Sequence, residues 1–298
     1  MDYQIVSDSS CDLEIAERQQ YGIEVLPFYI TFDEKNYKKE VDEIAIRDVY
    51  QRMVDEPKMY PKTSLPSVQD YVNVFMAHIS EGRGVICICF TPSLSGSYNS
   101  ACNAKDIVCE DYPNANITVI NSQSGTVTQG LFVKQAARLK AEGKSYEEVV
   151  AALTNPDFLH SSHIFFTVGN TDYLKHGGRI GRVASVASSA LNLKPLIVLE
   201  DGSIYAEGVV RSRKKSVIKS IEVARKYFES TGENPNDYEF SVGFGYDRKE
   251  GEEFLEQVKR EFSDVEDIDK TPLVQIGATI CVHTGPYAIG IGIIKKIV

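Results

Sequence analysis

The sequence predicts an α/β fold: a Rossmann-like parallel sheet flanked by helices in an N-terminal domain, then a C-terminal α+β domain with a mainly antiparallel sheet. Three observations carry this. Apolar strand-like runs alternate with helix-period segments through the first half. A short EDGS segment at 200–203 joins two strand-like runs in the second half, which is a hairpin signal. The length of 298 residues, at roughly 150 per domain, fits two domains, 1–157 and 158–298, with the boundary just after Asn155 and Pro156.

In the N-terminal half, strands are expected at Asp2–Val6, Val25–Phe32, Gly84–Phe90 and Asn116–Asn121. Ile44, Val49, Met53 and Val54 place an apolar stripe on a helix after the second strand, and Val68, Tyr71, Val72, Phe75, Met76 and Ile79 mark another before the third. A helix over 126–141 stops at Gly143, and Ser145 with Glu148 opens the next as a capping box. In the second half, 164–168, 196–199, 204–210, 239–244 and 287–294 read as strands. Helices are expected over 214–228 and 250–262. Residues 183–190 are small throughout, so whatever packs there comes close.

Composition narrows the function classes. With 42 acidic and 32 basic residues the net charge is −10, opposite to a nucleic-acid footprint. No apolar run approaches the roughly 18 residues that span a bilayer, and the first residues carry acid where a signal peptide carries base, so a cytoplasmic protein is expected. The six cysteines include no CxxC pair and read as reduced, mostly buried thiols rather than a disulfide or zinc framework. No cofactor or metal site is expected. There is no GxxxxGK[ST] loop, GxGxxG fingerprint, HExxH or GxSxG elbow.

What remains is a set of hydroxyl-rich loops where apparent strands end and helices begin, the edge at which open α/β sheets bind ligands. Residues 90–101, FTPSLSGSYNSA, place Ser95 and Gly96 at a helix start, where free N–H groups favour an anion. The alternative for Ser95 or Ser97 is simple capping. In KTSLPS at 62–67, Pro66, Ser67 and Asp70 account for a helix start, whereas Thr63 and Ser64 are left without a structural role. A third loop, 121–125, is NSQSG. In the opening DSSCD segment, Asp8 is expected to accept hydrogen bonds and Asp12 to cap the helix at Leu13. His283 reads as a structural histidine by default, His78 on its helix more so, and Arg179 in HGGRI at 176–180 as an exposed cation that can face an anion. Residues 211–226 hold seven basic side chains against one acid, Glu222: a solvated face, or a dock for an acidic or phosphate-bearing partner.

Taken together, DSSCDL at 8–13, TSLPS at 63–67, LSGSY at 94–98, GGRI at 177–180, RSRKK at 211–215 and HTGP at 283–286 resemble the DegV family of bacterial fatty acid-binding proteins. That family includes the lipid-carrying subunit of fatty acid kinase. The resemblance implies that the protein is a carrier rather than an enzyme. It would bury one long-chain fatty acid, with the carboxylate held by Thr63 and Ser95, with Ser64 and the Gly96 N–H nearby, His283 close to the head group and Arg179 a further contact. It also implies a partner, the ATP-binding kinase subunit, with Arg211 and Arg213 as docking residues. Two other readings compete: a serine hydrolase using Ser95, His283 and Asp8, and a binder of a polar anionic small molecule.

Overall fold

The computed structural model describes residues 1–183 and 193–297, so residues 184–190 of the small-residue stretch lie outside the described residues. Its first sheet has the order β2-β1-β6-β7, from β1 (Tyr3–Asp8), β2 (Ile23–Leu26), β6 (Gly84–Cys89) and β7 (Ile117–Asn121), and every pairing in it is parallel. Alternation along β6 feeds two cores. Val85, Cys87 and Cys89 face α3 (Val68–Ile79) and α4 (Ser97–Asp111), while Ile86 and Ile88 face α5 (Thr126–Ala141) and α6 (Tyr146–Leu153). The capping boxes at Ser67 with Asp70 and at Ser145 with Glu148 both form.

The second sheet has the order β10-β9-β8-β13-β11-β12, from β8 (His163–Thr167), β9 (Lys194–Glu200), β10 (Ser203–Val210), β11 (Tyr238–Phe244), β12 (Leu273–Gln275) and β13 (Ile289–Lys295). All its pairings are antiparallel except β11 with β12. The hairpin expected at 200–203 joins β9 and β10, with Asp201 and Gly202 both at positive φ. Tyr238, Phe240 and Val242 of β11 pack with Ile289, Ile291 and Ile293 of β13 under α9 (Arg213–Thr231) and α10 (Arg248–Glu261). Helix α5 lies between the two sheets, touching β1 on one side and β11 and β13 on the other. Accordingly Gln129 and Gln135 are buried along with its apolar residues. The α/β class with one parallel and one mainly antiparallel sheet is therefore the observed architecture.

Three local expectations are corrected. The run 25–32 is two strands, because Pro27 has no N–H to continue the ladder: β2 ends at Leu26 opposite Asp8, and β3 (Tyr29–Thr31) joins a separate small sheet. That sheet, β4-β3-β5 with β4 at Lys38–Lys39 and β5 at Lys62–Ser64, was not anticipated. Asp12 does not cap a helix at Leu13. It sits at φ 51° after a 3-10 turn over 9–11, and helix α1 (Ile15–Tyr21) takes Glu14 as its N-cap. Also unforeseen were β12 and a short helix, α11 (Ala278–Thr284); the remaining helices are α2 (Ile46–Asp55), α7 (Pro156–Leu159) and α8 (Asp172–His176).

Candidate functional site

The β6–α4 loop is folded tightly by its own polar atoms. The N–H groups of Leu94 and Ser95 both donate to the Thr91 carbonyl, and Thr91 Oγ1 donates to the carbonyl of Gly202 in the β9–β10 turn, at 2.9 Å. The Ser97 N–H donates to Ser95 Oγ at 3.2 Å, so Ser95 satisfies one donor of the α4 N-terminus, while Gly96 is the N-cap itself. Asp8, fully buried at the end of β1, accepts from the Phe90 N–H, Ser97 Oγ and Gln129 Nε2 at 3.0, 2.8 and 3.0 Å. The hydrogen-bonding role expected of Asp8 is thus present: it ties β6 and α4 to α5.

Thr63 lies on β5 opposite Ile30 and reaches across to α11, where its Oγ1 is 2.9 Å from His283 Nε2. Burial, reinforced by the Arg179 charge, pushes the His283 imidazole down to about 4, so it is neutral near pH 7. Its Nδ1 is buried with no hydrogen-bond partner among the described residues. Arg179 is exposed and strapped to the backbone, Nε to the Leu94 carbonyl at 3.0 Å and Nη1 to the Gly177 carbonyl at 2.6 Å.

Thr63, Ser95, Arg179 and His283 all line one cavity, whose empty space, counted together with the solvent it opens to, is about 890 Å³. The rest of its wall is almost wholly apolar, including Phe28, Phe90, Phe166, Leu199, Ile204 and Ile289. Leu94, Ser95, Arg179 and Ile204 also border an open surface depression with Gly96, which marks this end as the mouth. Ser64 is separated from the group: successive strand residues face opposite ways, and Ser64 is exposed outside the cavity wall. Gly96 borders the mouth rather than the cavity.

The hydrolase arrangement is not assembled. His283 bonds Thr63 rather than Ser95, and Asp8 is committed to the Phe90 N–H, Ser97 and Gln129. The serines of the 121–125 loop hold the loop itself, Ser122 Oγ donating to the Cys89 carbonyl, while Gly125 enters the cavity wall. His78 pairs with Glu24 at 2.6 Å. Arg211 is exposed, but Arg213 makes a bidentate pair with Glu250 at 2.8 and 2.7 Å. Both belong to the α9 side of the second sheet, the face opposite the cavity.

Sequence reasoning missed two buried carboxylates behind the cavity. Thr126 and Thr279 line the wall, and their hydroxyls donate to Asp12 Oδ2 at 2.5 Å and Glu40 Oε2 at 2.7 Å. Glu40 also accepts from Ser9 Oγ and from the Thr279 N–H. Burial chiefly, with the Glu40 charge adding to it, pushes the Asp12 carboxyl up to about 8. Nothing in the spacing of residues 12, 40, 126 and 279 signals this cluster. Among the described residues no group of His, Cys, Asp and Glu is arranged to hold a metal ion, and no helix is long and apolar enough to cross a membrane.

Two layered sheets beside an apolar-walled cavity that opens at polar residues define the class: an α/β protein with a lined cavity. The chain belongs to the DegV family. The model of the family described as "Uncharacterised protein, DegV family COG1307" matches residues 2–296. A DegV domain-containing protein of Caldanaerobacter subterraneus subsp. tengcongensis is 32% identical, with 96% of each chain covered. Among solved structures, a stearic acid-binding protein from Eubacterium ventriosum is 44% identical with a TM-score of 0.92, covering 99% of each chain. A fatty acid-binding DegV family protein from Thermus thermophilus is 29% identical with a TM-score of 0.84, covering 99% of this chain and 100% of that one.

Proposed function

We propose that this protein binds one long-chain fatty acid, with the acyl chain in the apolar cavity and the carboxylate at the mouth beside Thr63, Ser95, His283 and Arg179. The observation that carries the reading is one cavity with a predominantly apolar wall, Ser95 and Arg179 where it opens, and the Thr63–His283 pair in the same wall. The similar protein from Eubacterium ventriosum binds stearic acid, which supports the same ligand class here.

The energetics agree. Burying about 14 methylenes at roughly 0.8 kcal/mol each gives a gross drive on the order of 11 kcal/mol before ordering costs. The acyl chain therefore dominates affinity. Hydrogen bonds to the carboxylate, about 1.5–3 kcal/mol each, orient the head.

In this reading the protein is a cytoplasmic carrier. A separate ATP-binding kinase subunit phosphorylates the presented carboxylate, and Arg211 with its exposed neighbours Lys214 and Lys215 offers that subunit a basic face. Free thiols at Cys11, Cys87, Cys89, Cys102, Cys109 and Cys281 fit a reducing compartment. With the division at 157 and 158, the acyl chain would lie between or beside the two domains.

The test is to denature the purified protein in organic solvent and identify released lipid by mass spectrometry. A stoichiometric fatty acid is the expected result. A lipid-free protein that also refuses added fatty acid, while binding phosphate compounds, would establish the polar-anion reading instead.

A further inference from the structure

Thr279, Ile280 and His283 of α11 line the cavity, and so does Ile276 just before that helix. From Ile204 on β10, which also borders the mouth, the wall steps through Leu199 of β9, Phe166 of β8 and Gly290 of β13 to Gly243 of β11, four strand spacings or about 19 Å across the sheet. At that end Ile276 meets Val127 of α5 and Gly243 of β11, all three in the wall. Gly243 pairs with Gly290 of β13, so the floor between two central strands carries no side chain. The hydroxyls of Thr126 and Thr279 are already committed to Asp12 and Glu40, which leaves this end suited to an unsubstituted alkyl terminus.

We infer that Gly243, against Val127 and Ile276, is the gauge that sets the acyl-chain length this protein accepts. The inference rests on the fatty acid reading above. The neighbouring glycines are closed to substitution: a Cβ on Gly290 would meet Phe166 Cβ at 2.5 Å and the Phe165 carbonyl oxygen at 2.8 Å, and one on Gly292 would meet Thr128 and Val127 at 2.6 and 2.7 Å. At Gly243 the nearest atoms are Val127 Cγ1 at 3.1 Å and Ile276 Cγ1 at 3.2 Å, ends of side chains that can give by a few tenths of an ångström. A methyl there requires Val127 and Ile276 to shift by a few tenths of an ångström. A larger side chain takes the space of the ligand's last carbons.

The experiment measures affinities of the delipidated full chain for saturated fatty acids of 12 to 18 carbons, for wild type, Gly243→Ala, Gly243→Val and Ile276→Ala. Each buried methylene is worth about fourfold in affinity. Gly243→Val should shift the preference for the 18-carbon over the 12-carbon acid by at least about tenfold toward the shorter chain, and Gly243→Ala by about fourfold. Ile276→Ala should shift it the other way, and combined with Gly243→Ala should return it toward wild type. If Gly243→Val does not melt cooperatively, the Gly243→Ala and Ile276→Ala pair decides. Equal losses at every chain length, or no change in folded variants, would overturn the gauge while leaving fatty acid binding intact. A wild type that takes up no fatty acid overturns the underlying reading and the gauge with it.

Discussion

Gly177 packs against the His283 ring so closely that a Cβ at position 177 would stand 2.2 Å from Nδ1 and 3.0 Å from the Tyr173 carbonyl oxygen. The glycine is what lets the imidazole sit within reach of Thr63. Gly177→Ala should therefore displace the ring, lowering fatty acid affinity at least about tenfold, the value of one hydrogen bond to a charged group, and lowering the melting temperature as well. Calorimetric titration and thermal melts of the same preparation check both, and unchanged affinity would mean the ring position does not matter to the head group.

Ser95→Ala removes a hydroxyl at the mouth but leaves the Gly96 cap and the Asp8 network in place. Affinity should fall by about tenfold to a hundredfold in a protein that still folds, with melting lowered by the lost acceptor of the Ser97 N–H, worth about 0.5–2 kcal/mol. Retention of wild-type affinity would take Ser95 out of the head-group contact.

The pH behaviour has two limbs. The His283 and His163 imidazoles, each lowered to about 4 mainly by burial, are neutral in the folded protein. The stability this reflects is complete above the ordinary histidine range near 6.5 and is lost as pH falls through about 4. Asp12, raised to about 8, acts in the opposite sense: its protonated form is the folded form, so its contribution fades as pH climbs from the ordinary carboxylate range near 4 to about 8. Melting temperature against pH should decline on both sides, and Asp12→Asn should flatten the alkaline side alone. An incoming carboxylate favours the imidazolium, so nitrogen NMR should show the His283 titration moving upward on loading with fatty acid; a static titration would place the head group elsewhere.

Arg211 and Arg213 should separate by phenotype. Arg213 holds Glu250 between α9 and α10, so Arg213→Ala should cost about 2 °C in melting temperature. The exposed Arg211→Ala should leave melting and lipid affinity as they are and slow phosphorylation of the bound fatty acid by a kinase ATP-binding subunit. Unaffected kinase turnover would remove Arg211 from the docking face.

How far the sequence could be read depended on whether a feature is local. Helix α5 was legible to the residue because its start, period and stop are all written within one segment. The split at Pro27 was visible only as a proline in an apolar run, and the small sheet it creates depends on pairing with residues more than thirty positions away. Motifs supplied Thr63 and His283 separately, but no periodicity could report that β5 and α11 meet. Ser64 was proposed beside Thr63, yet strand alternation turns it outward. The Asp12–Glu40 cluster is assembled entirely by tertiary packing.

The Thr63–His283 contact spans 220 positions, and β13, which follows every other strand in sequence, lies inside its sheet between β8 and β11. During synthesis at roughly 5–20 residues per second, Thr63 is made on the order of 10 to 45 seconds before its partner. Until β13 inserts, β8 and β11 have no strand between them and the glycine floor at Gly290 does not exist. The cavity wall is therefore completed only once β13 has joined its sheet. Loss of β13 would leave two half-sheets with unpaired edges at β8 and β11, an invitation to aggregation rather than a weaker binder.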